Sequence, residues 1–216
     1  MDEKTKNRLG VEENKPTDWF EKLYSEANED GEGIPWANMA PHPVFKNWIS
    51  KNPNTHKGKT ALVIGCGMGD DAIELESRGF KVTAFDVSNS AIELCKTRFP
   101  NAKVEFIQAD LLKGIPDWNR KFDFVLEIYT IQALPPKYEK TLIKHISDFV
   151  ADKGKLLVIT ETQQDKRAFE NGPPWLLNQE YIKSFESCGL KQIFHLSSTE
   201  AEMGEATHLT LFQRQA

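Results

Sequence analysis

Five short apolar runs, at 61–64, 81–85, 104–108, 122–127 and 155–160, alternate with stretches whose apolar residues recur at helical spacing, at 70–78, 90–98, 137–150 and 178–188. The runs at 61–64, 122–127 and 155–160 are apolar enough to be buried on both faces, as strands of a parallel sheet are. The helix punctuation agrees: Gly79 follows the first helix in C-cap position, and Ser90 stands three residues before Glu93 in capping-box spacing. A strand–helix alternation sustained over about 100 residues folds as a parallel sheet wound on both faces by helices. The last two strand-like runs, 191–197 and 207–214, have only a loop between them and predict a terminal antiparallel hairpin. The fold class is therefore α/β, a doubly wound, mostly parallel sheet with a C-terminal hairpin.

The rest of the chain is bounded by composition. With 216 residues, 39% of them hydrophobic, it can bury one sizeable core, so 17–216 is expected to form a single domain. Residues 1–16 are charged, without apolar periodicity, and are expected to be a disordered arm. The segment 17–52 holds three of the five tryptophans, Trp19, Trp36 and Trp48, and is expected to cap the sheet as a lid. A net charge of -5 argues against a grip on phosphate backbones, so nucleic acid is not an expected partner. Three cysteines at wide spacing, without a C-x-x-C pair, indicate neither a disulfide framework nor a metal site, and suggest a reducing, cytoplasmic setting. No stretch approaches the roughly 20 apolar residues of a membrane span. A monomer or homodimer is expected.

Between the first strand and its helix lies "ALVIGCGMGDD", with Gly65, Gly67 and Gly69 in five positions. Such a turn admits close approach to backbone where helix N-terminal amides are also available, which suits a nucleotide-like ligand. Asp86 ends the second strand, where a doubly wound fold places a carboxylate on ribose hydroxyls. Asp110 follows the third strand and could meet an adenine amine. Together these three features outline an adenosine. A tight structural turn with Asp86 and Asp110 as helix or turn caps is the alternative. The position that a dinucleotide fingerprint gives to its third glycine is Asp70, followed by Asp71, and two carboxylates there would repel a diphosphate. A dehydrogenase is thereby disfavoured, and a ligand carrying positive charge is preferred.

The pattern G-x-G-x-G with an acidic second-strand end resembles the class I S-adenosylmethionine-dependent methyltransferases over residues 59–160. The resemblance implies S-adenosylmethionine as cofactor, with Gly65, Cys66, Gly67 and Gly69 beneath its methionine part, Asp86 and Val87 at the ribose, Asp110 and Leu111 at the adenine, and Glu127 lining the cofactor. Many relatives carry an acidic residue two positions before the first glycine. Here it is Val63, which leaves Asp70, Asp71 and Glu127 as candidates for the ammonium group. "IPWANMAPHP" before the glycine loop and "GPPW" after the fifth strand resemble the thiopurine, thiol, halide and tellurite-resistance small-molecule methyltransferases. This implies an acceptor pocket built by Trp36, His42, Tyr129, Gln132 and Trp175, with core packing as the other reading of the tryptophans. The stretch after the fourth strand lacks the Asn/Asp-Pro-Pro-Tyr/Phe sequence of enzymes that methylate base amines, and no metal-ligand cluster stands out. A small-molecule acceptor with a soft nucleophile, such as a thiol, halide or chalcogen anion, is the expectation. The alternative is a regulatory module that binds the cofactor without transferring its methyl group.

Overall fold

The computed structural model describes residues 3–52, 56–163, 167–198 and 206–215. Seven strands form a sheet of order β3-β2-β1-β4-β5-β7-β6, and the chain packs as two compact units, Met1–Asp110 and Leu111–Ala216.

The first unit contains α1 (Glu3–Leu9), α2 (Asp18–Ser25), α3 (Pro43–Lys51), β1 (Thr60–Ile64), α4 (Asp70–Ser77), β2 (Lys81–Asp86), α5 (Asn89–Arg98) and β3 (Glu105–Gln108). Its three strands are parallel, with Ile64 opposite Phe85 and Asp86 opposite Gln108, so their carboxyl ends lie side by side. The apolar run of β1 is buried from Ala61 to Ile64, as a strand covered on both faces requires. The cap of α5 is Ser88, whose hydroxyl accepts from Ala91 N at 3.1 Å, two residues upstream of the expected Ser90. The Ser90 hydroxyl instead donates to Glu21 on α2 at 2.6 Å, and the Ser88 hydroxyl donates to the same carboxylate at 2.7 Å.

The N-terminal residues differ from expectation. Residues 3–9, read from sequence as part of a disordered arm, form α1, which buries Leu9. Lys22 of α2 donates to the Arg8 carbonyl and Arg8 pairs with Glu26, so charged residues fasten this helix to the next. In α2 the residues Trp19, Phe20, Leu23 and Tyr24 fall on one face and are all buried, and α3 buries Phe45 and Ile49 in the same way.

The second unit contains β4 (Phe122–Ile128), α6 (Glu139–Phe149), β5 (Val150–Thr162), α7 (Tyr181–Ser187), β6 (Leu190–Ser198) and β7 (Ala206–Arg214). Strands β4 and β5 are parallel, while β7 is antiparallel to both β5 and β6. The expected hairpin is present, but its second strand is inserted next to β5, leaving β6 outermost. Burial explains the order. Leu209 to Phe212 of β7 are buried without interruption, whereas β6 leaves Ile193, Phe194 and Leu196 exposed.

Arg214, at the end of β7, is 4% exposed and donates to the carbonyls of Val150, Cys188 and Ser147 at 3.0, 3.1 and 2.5 Å. A cation there satisfies carbonyls at the C-terminal ends of α6 and α7. Charged hydrogen bonds of this kind contribute about 1.5–3 kcal/mol each before the loss of shared context is discounted. Arg214→Met is therefore expected to destabilise the fold by about 3 kcal/mol and lower its melting temperature by several degrees, as calorimetry would register. An unchanged melting curve would show that these carbonyls find water when the guanidinium is removed.

Candidate active site

The turn after β1 is built on left-handed backbone: φ is +56° at Gly65, +51° at Gly67 and +87° at Gly69. Gly67 and Gly69 also have no room for a side chain. A Cβ on Gly67 would lie 2.9 Å from the Tyr24 hydroxyl, and one on Gly69 would lie 2.9 Å from the Cys95 sulfur. The turn is held from below: Cys66 N donates to the Phe85 carbonyl at 2.9 Å, and the Cys95 thiol donates to the Gly67 carbonyl at 3.1 Å. Cys66 itself is buried, and its contact to Cys95, with burial second, pushes its thiol well above the ordinary range. It packs as an inert thiol.

Asp86 stands at the carboxyl end of β2 and is 6% exposed. One carboxylate oxygen accepts from Gly67 N and the other from Ser88 N, both at 3.0 Å. The side chain thus ties the glycine turn to the start of α5, with the Val87 amide as a further backbone donor. Val87, half-buried, accepts from the Gln108 side chain through its carbonyl at 3.2 Å. Asp110 is half-buried at the end of this unit. In the first unit the structure therefore brings Gly65, Cys66, Gly67, Gly69, Asp86, Val87 and Asp110 to the carboxyl ends of three adjacent strands.

Two residues of the aromatic segment lie against this turn. The Trp36 indole N–H donates to the Tyr24 hydroxyl at 3.0 Å, and that hydroxyl faces Gly67. Burial and the nearby Asp86 carboxylate hold the Tyr24 phenol well above its usual range, so it stays protonated. Tyr24 was not singled out from sequence. Its only signal there was its place on the apolar face of α2. His42 is an N-cap whose backbone N–H donates to Asp71 at 2.8 Å.

The ammonium candidates separate on geometry. Asp70 forms an ion pair with Arg98 at 2.8 Å, with both side chains largely buried, and Asp71 is engaged in the contact to His42. Glu127, in the second unit, is fully buried: one oxygen accepts from Ile131 N at 3.0 Å and Oε2 has no hydrogen-bond partner among the described residues. Burial pushes its carboxyl up from 4.5 to about 7, against the opposing pull of the Ile131 and Thr130 amides. A folded pKa above the unfolded value means that folding binds a proton. Its stabilisation is full below pH 4.5 and lost as pH rises through about 7. Glu127→Gln should therefore melt higher than the wild type at pH 8, by on the order of 2–3 kcal/mol. The gap narrows as pH falls toward 4.5, and equal melting at pH 8 would contradict the assignment.

The second unit gathers Tyr129 and Gln132 around the end of β5. Tyr129 has φ +60° although it is not glycine, and its N–H donates to the Ile159 carbonyl at 3.1 Å. The Gln132 amide oxygen accepts from the Thr160 hydroxyl and from Glu161 N, both at 2.8 Å, and its amine faces the Glu161 carboxylate at 3.4 Å. Trp175 reaches this cluster through its backbone, donating to the Gln132 carbonyl at 2.6 Å. Its ring is 2% exposed, stacks on Phe169 and donates to the Phe169 carbonyl at 3.0 Å. The Trp175 indole is thus engaged in packing. Leu111 is buried, with its carbonyl accepting from His145. Glu161 carries no signal in the sequence: the apolar run of the fifth strand ends at 160, whereas β5 continues to Thr162.

A glycine turn, a buried carboxylate at the next strand end and a third acidic residue beside them fit an adenosine, and the orphaned Glu127 oxygen fits a cation. The comparisons with known proteins agree: the chain is an S-adenosylmethionine-dependent methyltransferase. Residues 61–154 match the methyltransferase domain family. The chain is 26% identical over 190 residues to "Probable thiol methyltransferase 2" of Arabidopsis thaliana, covering 82% of this chain and 80% of that one. It is 28% identical over 172 residues to "Thiocyanate methyltransferase 1" of Brassica oleracea, covering 74% and 73%. Among solved structures, magnesium protoporphyrin IX methyltransferase of Synechocystis PCC 6803, with S-adenosylmethionine bound, shares the fold with a TM-score of 0.62 at 15% identity, covering 80% of this chain and 76% of that one. A protein solved in work on the conversion of a disulfide bond into a thioacetal group during echinomycin biosynthesis superposes with a TM-score of 0.72 at 18% identity, covering 92% and 91%.

Proposed function

We propose that the chain methylates a small molecule through a soft nucleophilic atom, in the chemistry of the thiol and thiocyanate methyltransferases it is similar to. The observation that carries this reading is the likeness to the plant thiol methyltransferase over most of both chains, on a chain whose turn after β1 holds three glycines in left-handed backbone. S-adenosylmethionine supplies an activated methyl group, and the protein's task is to align an acceptor and exclude water. In this reading Gly65, Gly67 and Gly69 cradle the methionine part, Asp86 accepts from the ribose hydroxyls, and Asp110 and Leu111 meet the adenine. Glu127 offers its free oxygen to a positive charge. The segment 17–52 serves as the cap, with Tyr24 and Trp36 over the turn, and Tyr129 and Gln132 line the acceptor. Three free thiols, Cys66, Cys95 and Cys188, support a reducing, cytoplasmic setting.

Turnover on a panel of small thiols, iodide and thiocyanate, with S-adenosylmethionine binding followed by calorimetry, tests the reading. Methylation of at least one of these acceptors is expected. Tight cofactor binding without turnover on any of them, or methylation of a protein or RNA alone, would overturn the acceptor class.

A further inference from the structure

Helix α2 lies over the glycine turn on two polar contacts one helical turn apart. In the first, the Tyr24 hydroxyl stands 2.9 Å from where a Cβ on Gly67 would be, and accepts from the Trp36 indole N–H at 3.0 Å. In the second, the Glu21 carboxylate takes three hydrogen bonds from the start of α5. The Ser88 hydroxyl donates to one oxygen at 2.7 Å and Ser90 N donates to the same oxygen at 3.2 Å, while the Ser90 hydroxyl donates to the other at 2.6 Å. Positions 21 and 24 are neighbours on one helix face, so what fixes Glu21 also fixes Tyr24.

Ser88 is the joint of this arrangement. Its N–H donates to Asp86, and its hydroxyl accepts from Ala91 N while giving its proton to Glu21. An anion set against the first amides of a helix is favoured by the helix dipole. Burial pushes the Glu21 carboxyl up, but the bonds from Ser90 and Ser88 outweigh it and hold the group below its ordinary value. Glu21 is therefore charged at neutral pH, and its bonds to the serines are charge-assisted. Trp19, Phe20, Leu23 and Tyr24 of the same helix are buried, whereas Glu21 is exposed. Apolar packing holds α2 down but is non-directional, so the depth and register of the helix on the turn are left to the hydrogen bonds.

We infer that Glu21 is a positioning residue for the cofactor: latched to Ser88 and Ser90, it seats α2 so that Tyr24 closes over Gly67, and thereby sets how long S-adenosylmethionine stays on the turn. This rests on the reading of the glycine turn as the cradle of the cofactor. A ligand over Gly67 shares that surface with Tyr24, so its departure requires α2 to lift, and lifting breaks the bonds to Glu21. The residue acts through Tyr24 and through Ser88, which it shares with Asp86.

The test follows the binding and release of S-adenosylhomocysteine by surface plasmon resonance on the wild type, Glu21→Ala, Ser90→Ala and the double variant. Ser90→Ala removes one latch bond and leaves the Ser88 cap and Asp86 untouched. Glu21→Ala is expected to speed release by about ten-fold, the scale of one charged hydrogen bond, with little change in the association rate. Ser90→Ala is expected to speed release less, and the double variant is expected to release no faster than Glu21→Ala, because both substitutions remove the same contact. Release from Glu21→Ala at the wild-type rate, or effects that simply add as a general loss of stability would, overturn the inference. If Glu21→Ala does not fold, Ser90→Ala decides, and wild-type release from it overturns the inference. Gly67→Val separates the two readings: undiminished binding of S-adenosylhomocysteine by that variant removes the cradle reading and this inference with it, whereas lost binding there together with unchanged release from Glu21→Ala overturns this inference alone.

Discussion

Asp86→Ala is expected to weaken S-adenosylmethionine binding by ten-fold or more and to destabilise the protein at the same time. The two effects have separate causes. The carboxylate accepts from Gly67 N and Ser88 N in a setting where only 6% of the residue is exposed, so its removal leaves two buried donors without a partner. Each such orphan costs about 1–3 kcal/mol. The glycine turn and the start of α5 lose the tie between them. The ribose contact proposed for Asp86 would be a further charged hydrogen bond, whose loss by itself corresponds to roughly a ten-fold change in affinity. pH separates the roles again. Burial raises the Asp86 carboxyl to about 6, so cofactor affinity should fall as pH drops below that value. The stability of the protein without ligand runs the other way, because a raised folded pKa gives stabilisation that is full below about 3.8 and lost as pH rises through 6. Calorimetric titration of folded Asp86→Ala and Asp86→Asn proteins checks this, and a dissociation constant equal to that of the wild type would remove the ribose assignment.

Gly67→Val is expected to be more damaging still, and to act through a residue far away in sequence. At φ +51° a β-branched side chain is strongly disfavoured, and its Cβ would sit 2.9 Å from the Tyr24 hydroxyl. Left-handed backbone and overpacking together cost roughly 2–5 kcal/mol, with cofactor binding lost as the turn deforms. Gly67→Ala is the milder form and allows a sharper test. The nearest atom is the hydroxyl oxygen, while the ring carbon that bears it is 3.9 Å away. Tyr24→Phe should therefore relieve part of the Gly67→Ala penalty, giving a non-additive double-mutant cycle. Strict additivity of the melting temperatures would mean that the turn moves away from α2 instead of pressing on it.

Much of this site was legible because its signals are local. Glycines at 65, 67 and 69 advertise their backbone, since left-handed conformation is a property of single residues, and Asp86 is placed by the regular length of a strand and its preceding helix. Strand positions followed from apolar runs for the same reason. Tyr24 and Glu161 were not legible, because nothing in their neighbourhoods along the chain distinguishes them from an apolar-face tyrosine and a polar residue after a strand. Asp70 shows the limit from the other side. Its charge pointed to a cationic ligand, but Arg98, 28 positions on, already balances it.

The sequence by itself determined the class of fold, the glycine turn and the carboxylate at the second strand end, all of which rest on spacing and on the conformational preferences of individual residues. Only the tertiary structure decided what those groups touch. It turned Asp86 into the tie between Gly67 and Ser88 as well as a candidate ribose ligand, placed the Tyr24 hydroxyl where a side chain on Gly67 would go, and inserted β7 beside β5 because its apolar residues need cover on both faces. It also fixed Tyr129 and Gln132 on Glu161. Such pairings depend on packing between residues distant in the chain, where burial and complementary hydrogen bonding select the partner and local propensity carries no record of it.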